Sequence, residues 1–530
     1  MTISSVAQSL KSFSKLLSDE GLTKKASLNA VASLLDYAVR LLVGFFLTPV
    51  MVVGLGNYFF GMWQILNRLV GYITPASGRP TYALKWTLAN RQASTDFDQK
   101  RRYVGSTLVI WVGFLPLLIG LGGIVSWFVP YWVHAPADYV WIVRIVSGLL
   151  VANMIVDTLS SVPQATLQGE NLNYKRMGMS ATLVVLGGGF TWLALYLNTG
   201  IVGVAVSVVA ATCVTGLFFL WVVRKYVPWF GVAKPRRAET RQMLGLSWWF
   251  MLWNLVTSLI LASDVVVLGL LGSVESVTDY ALTKYVPETA IGAVVIIVFG
   301  ITPGLGGIVG TKNYGKAVSL RSEIMTFVWL AVTALGTAIL LWNKVFIGLW
   351  VGAQHYSGSL VNLLITVAAV QLALIRCDGN FIDLTLRLSH KVLLGFLSVT
   401  ISIVAASLAV GYFKLGVVGL CLGIMGGRLI TSVGYPALIS RFLGVSLSSQ
   451  LKGTLRPALV TVLLFSFAFG LDRLLPVTTW SGVGGWMSFF LLAGVTGMLI
   501  LLLSFCAGLS SKQRKQVLKR FGMVLGVMPK

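Results

Sequence analysis

The chain has 530 residues, 56% of them hydrophobic and only 11% charged, with a mean hydropathy of +0.84. Soluble domains carry about 25% charged residues, so this composition excludes an ordinary soluble enzyme. The net charge of +24 resembles a nucleic-acid footprint in size, but it sits in short loops between apolar runs, which assigns it to membrane topology and anionic lipid; no nucleic-acid partner is expected.

In chain order, Val6, Leu10, Phe13 and Leu17 recur at helical spacing with Lys11 and Lys15 on another face. This predicts an amphipathic segment on the cytoplasmic membrane surface over 1–26, not a cleaved signal peptide. Apolar runs then follow one another to Cys506, each long enough to cross a ~30 Å hydrocarbon core as a helix. They predict helices at 27–53, 57–78, 105–128, 139–163, 178–197, 201–223, 244–271, 281–304, 322–342, 358–384, 392–413, 416–438, 456–475 and 484–507. The expected fold is an all-α polytopic membrane protein of about fourteen transmembrane helices. Two six-helix pseudo-repeated lobes, 27–223 and 244–438, are joined by a basic linker at 224–243. Two extra helices lie within 439–507, and a basic tail occupies 508–530.

One set of alternate loops holds Arg79, Lys85, Arg91, Lys100, Arg101 and Arg102, the linker cations, later loop cations that include Arg321 and Lys391, and the tail; the other holds only Lys344, Lys414 and Arg473. The positive-inside rule places both termini in the cytoplasm. The expected location is a membrane that the chain crosses many times. The largest links, 79–104 and 224–243, are too short for a catalytic domain. His134, His355 and His390 fall in predicted loops, and the four cysteines have no metal spacing, so no catalytic residue, metal or cofactor is expected. Residues 310–317 approach a phosphate-binding loop but end in Ala317 and follow no strand.

Ionisable groups inside the apolar runs are costly and normally face a bundle interior or a wet cavity. The cations are Arg40, Arg68, Arg144, Lys284, Arg376 and Arg428; the acids are Asp36, Asp157, Asp264, Glu288, Asp378 and Asp383. Asp36 with Arg40, and Lys284 with Glu288, are spaced four apart, so local ion pairing competes with a cavity role. Asp378 follows Arg376 by two residues and needs a different partner. Tyr58, Trp63, Tyr72, Trp248, Trp249, Trp253 and Tyr285 are candidates for stacking on sugar rings or for interfacial anchoring.

The two halves echo each other. The first helix ends in Val53-Gly54-Leu55-Gly56-Asn57-Tyr58 and the seventh in Leu270-Leu271-Gly272; the fourth carries Asp157 and the tenth Asp378 and Asp383. With the six-plus-six-plus-two layout, Gly54 to Trp63, Leu167-Gln168-Gly169 and Asp264 to Gly272, the chain resembles the multidrug/oligosaccharidyl-lipid/polysaccharide (MOP) flippase superfamily. The likeness is strongest to bacterial polysaccharide exporters of the O-antigen flippase type. That resemblance implies a secondary transporter, not an enzyme. It would move a polyprenyl-pyrophosphate-linked oligosaccharide to the outer leaflet by alternating access. Other polysaccharide-assembly membrane proteins and anionic membrane lipids are its implied partners. Arg40, Arg68, Arg144, Lys284 and Arg376 are the candidate substrate-binding cations, since Arg suits phosphate through its planar fork. Asp36, Asp157, Asp264, Glu288 and Asp378 are candidates for ion coupling or charge pairing. A cation-coupled MATE drug exporter and a lipid II flippase of cell-wall synthesis remain alternatives.

Overall fold

The computed structural model describes the chain from residue 22 to residue 517, except 92–93, 171, 173–178, 311–313, 384–387, 445, 475–480, 512 and 516. Most of the amphipathic N-terminal segment, most of the basic tail and the Trp249 side chain lie outside the described residues. Among the described residues thirteen stretches are long and apolar enough to cross a membrane. The first, Leu35–Ser77, runs for 43 residues, about 65 Å as a helix and twice the hydrocarbon thickness. All but its last turn belongs to helix α1, Leu22–Ile73, which is interrupted at Gly56 by φ 70° and ψ 170°. Only glycine adopts such a backbone readily. The break divides this stretch into two lengths that can each cross, as the sequence predicts between 53 and 57, and brings the candidate spans among the described residues to fourteen.

After α1, a 3-10 turn at Thr74–Ser77 leads through Gly78 and Arg79, both at positive φ, into α2, Pro80–Asn90. This helix corrects the reading of 79–104 as a plain link. It is too short to span, but Ala83, Leu84 and Leu88 are fully buried and it packs on α4, Val140–Gly169. Helix α3, Phe97–Trp132, starts eight residues before the predicted 105 because Asp96 caps it, accepting from Gln99 N at 2.8 Å. Helices α5, Met179–Tyr196, and α6, Gly200–Tyr226, follow. Helix α7, Arg237–Leu271, contains the border between two compact units, Met1–Ser258 and Leu259–Lys530.

The first unit centres on Leu84, Leu88, Tyr103, Val104, Val222 and Met243. The second contains α8, Val274–Gly310; α9, Tyr314–Trp350; α10, Ser359–Asp383; and α11, Leu388–Ser407. It continues with α12, Gly416–Leu443; α13, Leu447–Leu474; and α14, Gly482–Leu503. Its core is formed by Val294, Val298, Val328, Val332, Ile375 and Tyr435.

Lipid tails are as apolar as leucine, so helices associate through close packing and interhelical hydrogen bonds. The α11–α12 pair illustrates this. Gly419, Gly423 and Gly427 form a seam on α12 that lies against Ala409, Ala406 and Ser402 of the α11 segment and its continuation. Ser398 Oγ donates to Gly427 O at 3.0 Å and Ser402 Oγ to Ile424 O at 3.2 Å. On α14, Met487, Phe490, Leu491 and Leu502 are all more than half exposed, which suits a helix facing lipid.

Candidate functional site

In the second unit, α7, α8, α10 and α12 surround a cavity that gathers Asp264, Lys284, Glu288, Arg376 and Arg428. It holds about 80 Å³ of water-accessible space, room for several waters. Asp264 is its anchor. Its Oδ2 accepts from Lys284 Nζ at 2.5 Å and from Tyr280 Oη at 2.7 Å. The local pairing of Lys284 with Glu288 is present, but at 3.5 Å. The tighter partner comes from the neighbouring helix, twenty residues away. Arg428 donates to two backbone carbonyls, Ile260 O at 2.9 Å and Ala368 O at 3.4 Å. Its guanidinium thus ties α12 to α7 and α10. Among the described lining residues, three cations and two acids face this one small space.

Asp378 points elsewhere. It takes a 2.5 Å ion pair from Arg321 Nη2, whose Nη1 donates to Gln450 Oε1 at 2.8 Å. Asp383 is likewise engaged by Lys391 at 2.5 Å. The sequence places both cations among topology-setting charges, and no local spacing marks them as partners.

In the first unit, Arg40 is exposed and Arg68 half-buried, on opposite sides of the Gly56 break; Asp36 lies one turn before Arg40. Arg144 sits in an aromatic cage. Its guanidinium is 3.8 Å from the centre of the Trp127 ring and 4.9 Å from that of Trp141, and donates to Tyr131 Oη at 3.0 Å. The two ring contacts are of the cation–π kind.

A second, more polar cavity of about 220 Å³ lies where α1 ends against α4. It is lined by Asn67, Thr74, Arg79, Asn153, Asp157 and Ser161, among others. Arg79 is the residue the sequence misses, because it reads as one more loop cation. The left-handed pair Gly78-Arg79 turns it back onto the helix bundle. Burial pulls its guanidinium below the ordinary arginine value, while Tyr82 and the Asp157 carboxylate oppose that shift. The Ser-Gly-Arg-Pro run at 77–80 is the local signal of this turn.

The model of the polysaccharide biosynthesis protein family matches residues 29–303. The chain belongs to the polysaccharide biosynthesis protein family. Its fold is that of the MOP superfamily. A lipid II flippase, MurJ, in an inward closed conformation superposes with a TM-score of 0.62 at 11% identity, over 90% of this chain and 97% of that one. An inward-facing multidrug resistance MATE family transporter of the MOP superfamily gives 0.59 at 17% identity, over 80% and 99%. A MOP superfamily transporter from Pyrococcus furiosus, described as having a binding pocket of reversed polarity, gives 0.56 at 17%, over 80% and 96%. No curated protein matches in sequence. The chain is thus a polysaccharide biosynthesis family protein with many candidate membrane spans and a fold similar to these structures, and the charged cavities described above are its candidate sites.

Proposed function

We propose that this protein flips a lipid-linked oligosaccharide from the cytoplasmic to the outer leaflet of a bacterial inner membrane. The sugar chain is carried on polyprenyl pyrophosphate, destined for a surface polysaccharide such as the O-antigen of lipopolysaccharide, and moved by alternating access. The observation that carries this reading is the cavity of the second unit, where Lys284, Arg376 and Arg428 outnumber Asp264 and Glu288.

A pyrophosphate head brings only acceptors and negative charge. Arg376 offers the forked donors that match it. Lys284 already shares its charge between a tight and a loose carboxylate, so an arriving phosphate displaces Glu288, the looser one, at small cost. Arg40, Arg68 and Arg144 are the further cations we assign to the head group's path. Asp36, Asp157, Asp264, Glu288 and Asp378 serve ion coupling or charge balance. A drug exporter for organic cations would want acids in the majority, the reverse of this cavity. Anionic lipids and polysaccharide-assembly membrane proteins are the proposed partners.

The test uses purified protein in liposomes carrying a fluorescent polyprenyl-pyrophosphate oligosaccharide, with lipid II as the competing cargo. Arg376→Gln should slow flipping of the first by at least about tenfold, the worth of one charge-assisted hydrogen bond. Arg376→Lys should recover little of it. Wild-type rates in a folded Arg376→Gln protein, or flipping of lipid II alone, would overturn the reading.

A further inference from the structure

The cavity of the first unit has a different chemistry from the cationic one, and the hydrogen bonds around it define what it accepts. Asn67 Nδ2 gives one of its two protons to Trp63 O at 2.8 Å, and its amide oxygen adds an acceptor to the cavity wall. Thr158 Oγ1 donates to Met154 O at 2.9 Å and Ser161 Oγ to Thr158 O at 2.8 Å. Both hydroxyls therefore present lone pairs inward. Asn153 Oδ1 is buried without a hydrogen-bond partner, a state that costs about 1–3 kcal/mol unless a ligand or water donates to it. An ionised Asp157 only accepts. Among the described lining residues the cation facing these acceptors is Arg79, whose Nε is also buried without a hydrogen-bond partner.

A wall this rich in acceptors disfavours a pyrophosphate diester, which is anionic and has no protons to give at neutral pH. A metal ion would share the space with a guanidinium. A polyol satisfies both demands, because each hydroxyl donates and accepts at once. Vicinal hydroxyls can give protons to Asp157 and Asn153 and take one from Arg79. The apolar floor of Val70 and Leu150 suits the C–H face of a pyranose. The space of about 220 Å³ accommodates on the order of a dozen waters, which one sugar ring with its hydration can replace.

We propose that this cavity is a saccharide subsite. It would take a neutral hexose or N-acetylhexosamine unit, with Asn153 and Asp157 as its acceptors and Arg79 as its donor. The proposal deepens the flippase reading and rests on it for the biological cargo. It assigns sugar recognition to the first unit and leaves the phosphates to cations elsewhere.

The experiment uses full-length protein in lipid nanodiscs. Saturation-transfer NMR is recorded with a panel of free hexoses and N-acetylhexosamines, and calorimetry with inorganic pyrophosphate. At least one sugar should show transfer. Asn153→Leu, close in volume but without the amide, should weaken that sugar by about fivefold, the worth of one neutral hydrogen bond. Pyrophosphate binding should persist in this variant. Should Asn153→Leu not fold, Asp157→Asn, which keeps the shape and removes the charge, is expected to weaken the same sugar. If no sugar shows transfer, or if a folded variant binds it as well as the wild type does, the subsite is refuted. Failure of the wild type to bind pyrophosphate instead counts against the flippase reading, and the sugar arm still decides the subsite.

Discussion

Lys100 is a cation that its neighbours bury almost completely. Its side chain is 3% exposed and its ammonium lies 2.9 Å from Glu170 Oε1, itself only 12% exposed. The same segment sends Arg102 to Glu239 at 2.9 Å and Arg101 to Trp229 O at 2.8 Å. These residues count toward the positive-inside bias, yet their individual work is to fasten the start of α3 to the end of α4 and to the segment around the start of α7. A buried pair that loses one partner leaves a bare charge, at a cost of about 3–5 kcal/mol. Lys100→Met should therefore lower the unfolding midpoint in detergent strongly. Adding Glu170→Gln to it should restore most of the loss. Equal damage from the single and the double change would show that packing, not charge pairing, matters here.

Helix α12 depends on the absence of side chains along one stripe. A Cβ placed on Gly423 would come within 2.6 Å of Ala406 Cα and 2.8 Å of Ala405 C, backbone atoms that cannot yield as a side chain does. The spacing of 419, 423 and 427 is the small-residue pattern that lets membrane helices approach closely. Gly423→Leu should separate α11 from α12, at a cost of about 1–3 kcal/mol or more. Ser398 Oγ and Thr431 Oγ1 sit 3.2 Å apart across this contact. Cysteines placed at those two positions should cross-link readily while Gly423 is kept, and poorly once the Gly423→Leu change is added. Undiminished cross-linking would contradict the seam.

The number of crossings is decided at Gly56. Without that break α1 would count once, thirteen crossings would put the termini on opposite sides, and the charge bias of every later loop would invert. With it, the charge bias of the loops leads us to expect both termini on the basic side. Reporter fusions at Asn198 and His355 should read as external and one at Lys530 as cytoplasmic. A cytoplasmic signal at His355 or an external one at Lys530 would refute the topology.

The amino-acid sequence by itself determined the helical class, the places where the chain crosses and the sidedness expected of its loops. Those follow from length, apolarity and net charge, which are properties of short stretches. It also marked the intramembrane charges, because the cost of placing them in lipid is local. Tertiary structure alone decided who pairs with whom. Lys284 prefers Asp264, twenty residues away, to its helical neighbour Glu288, and Asp378 is met by Arg321 from another helix. Helix α2 is not legible in the linear pattern because eleven residues cannot span a membrane, and only contact with α4 gives Leu84 and Leu88 somewhere to be buried. Arg79 reads as a loop cation until two left-handed residues turn it inward. Pairings of this kind depend on distances between helices, and a linear pattern carries hydrophobicity and spacing but not those distances.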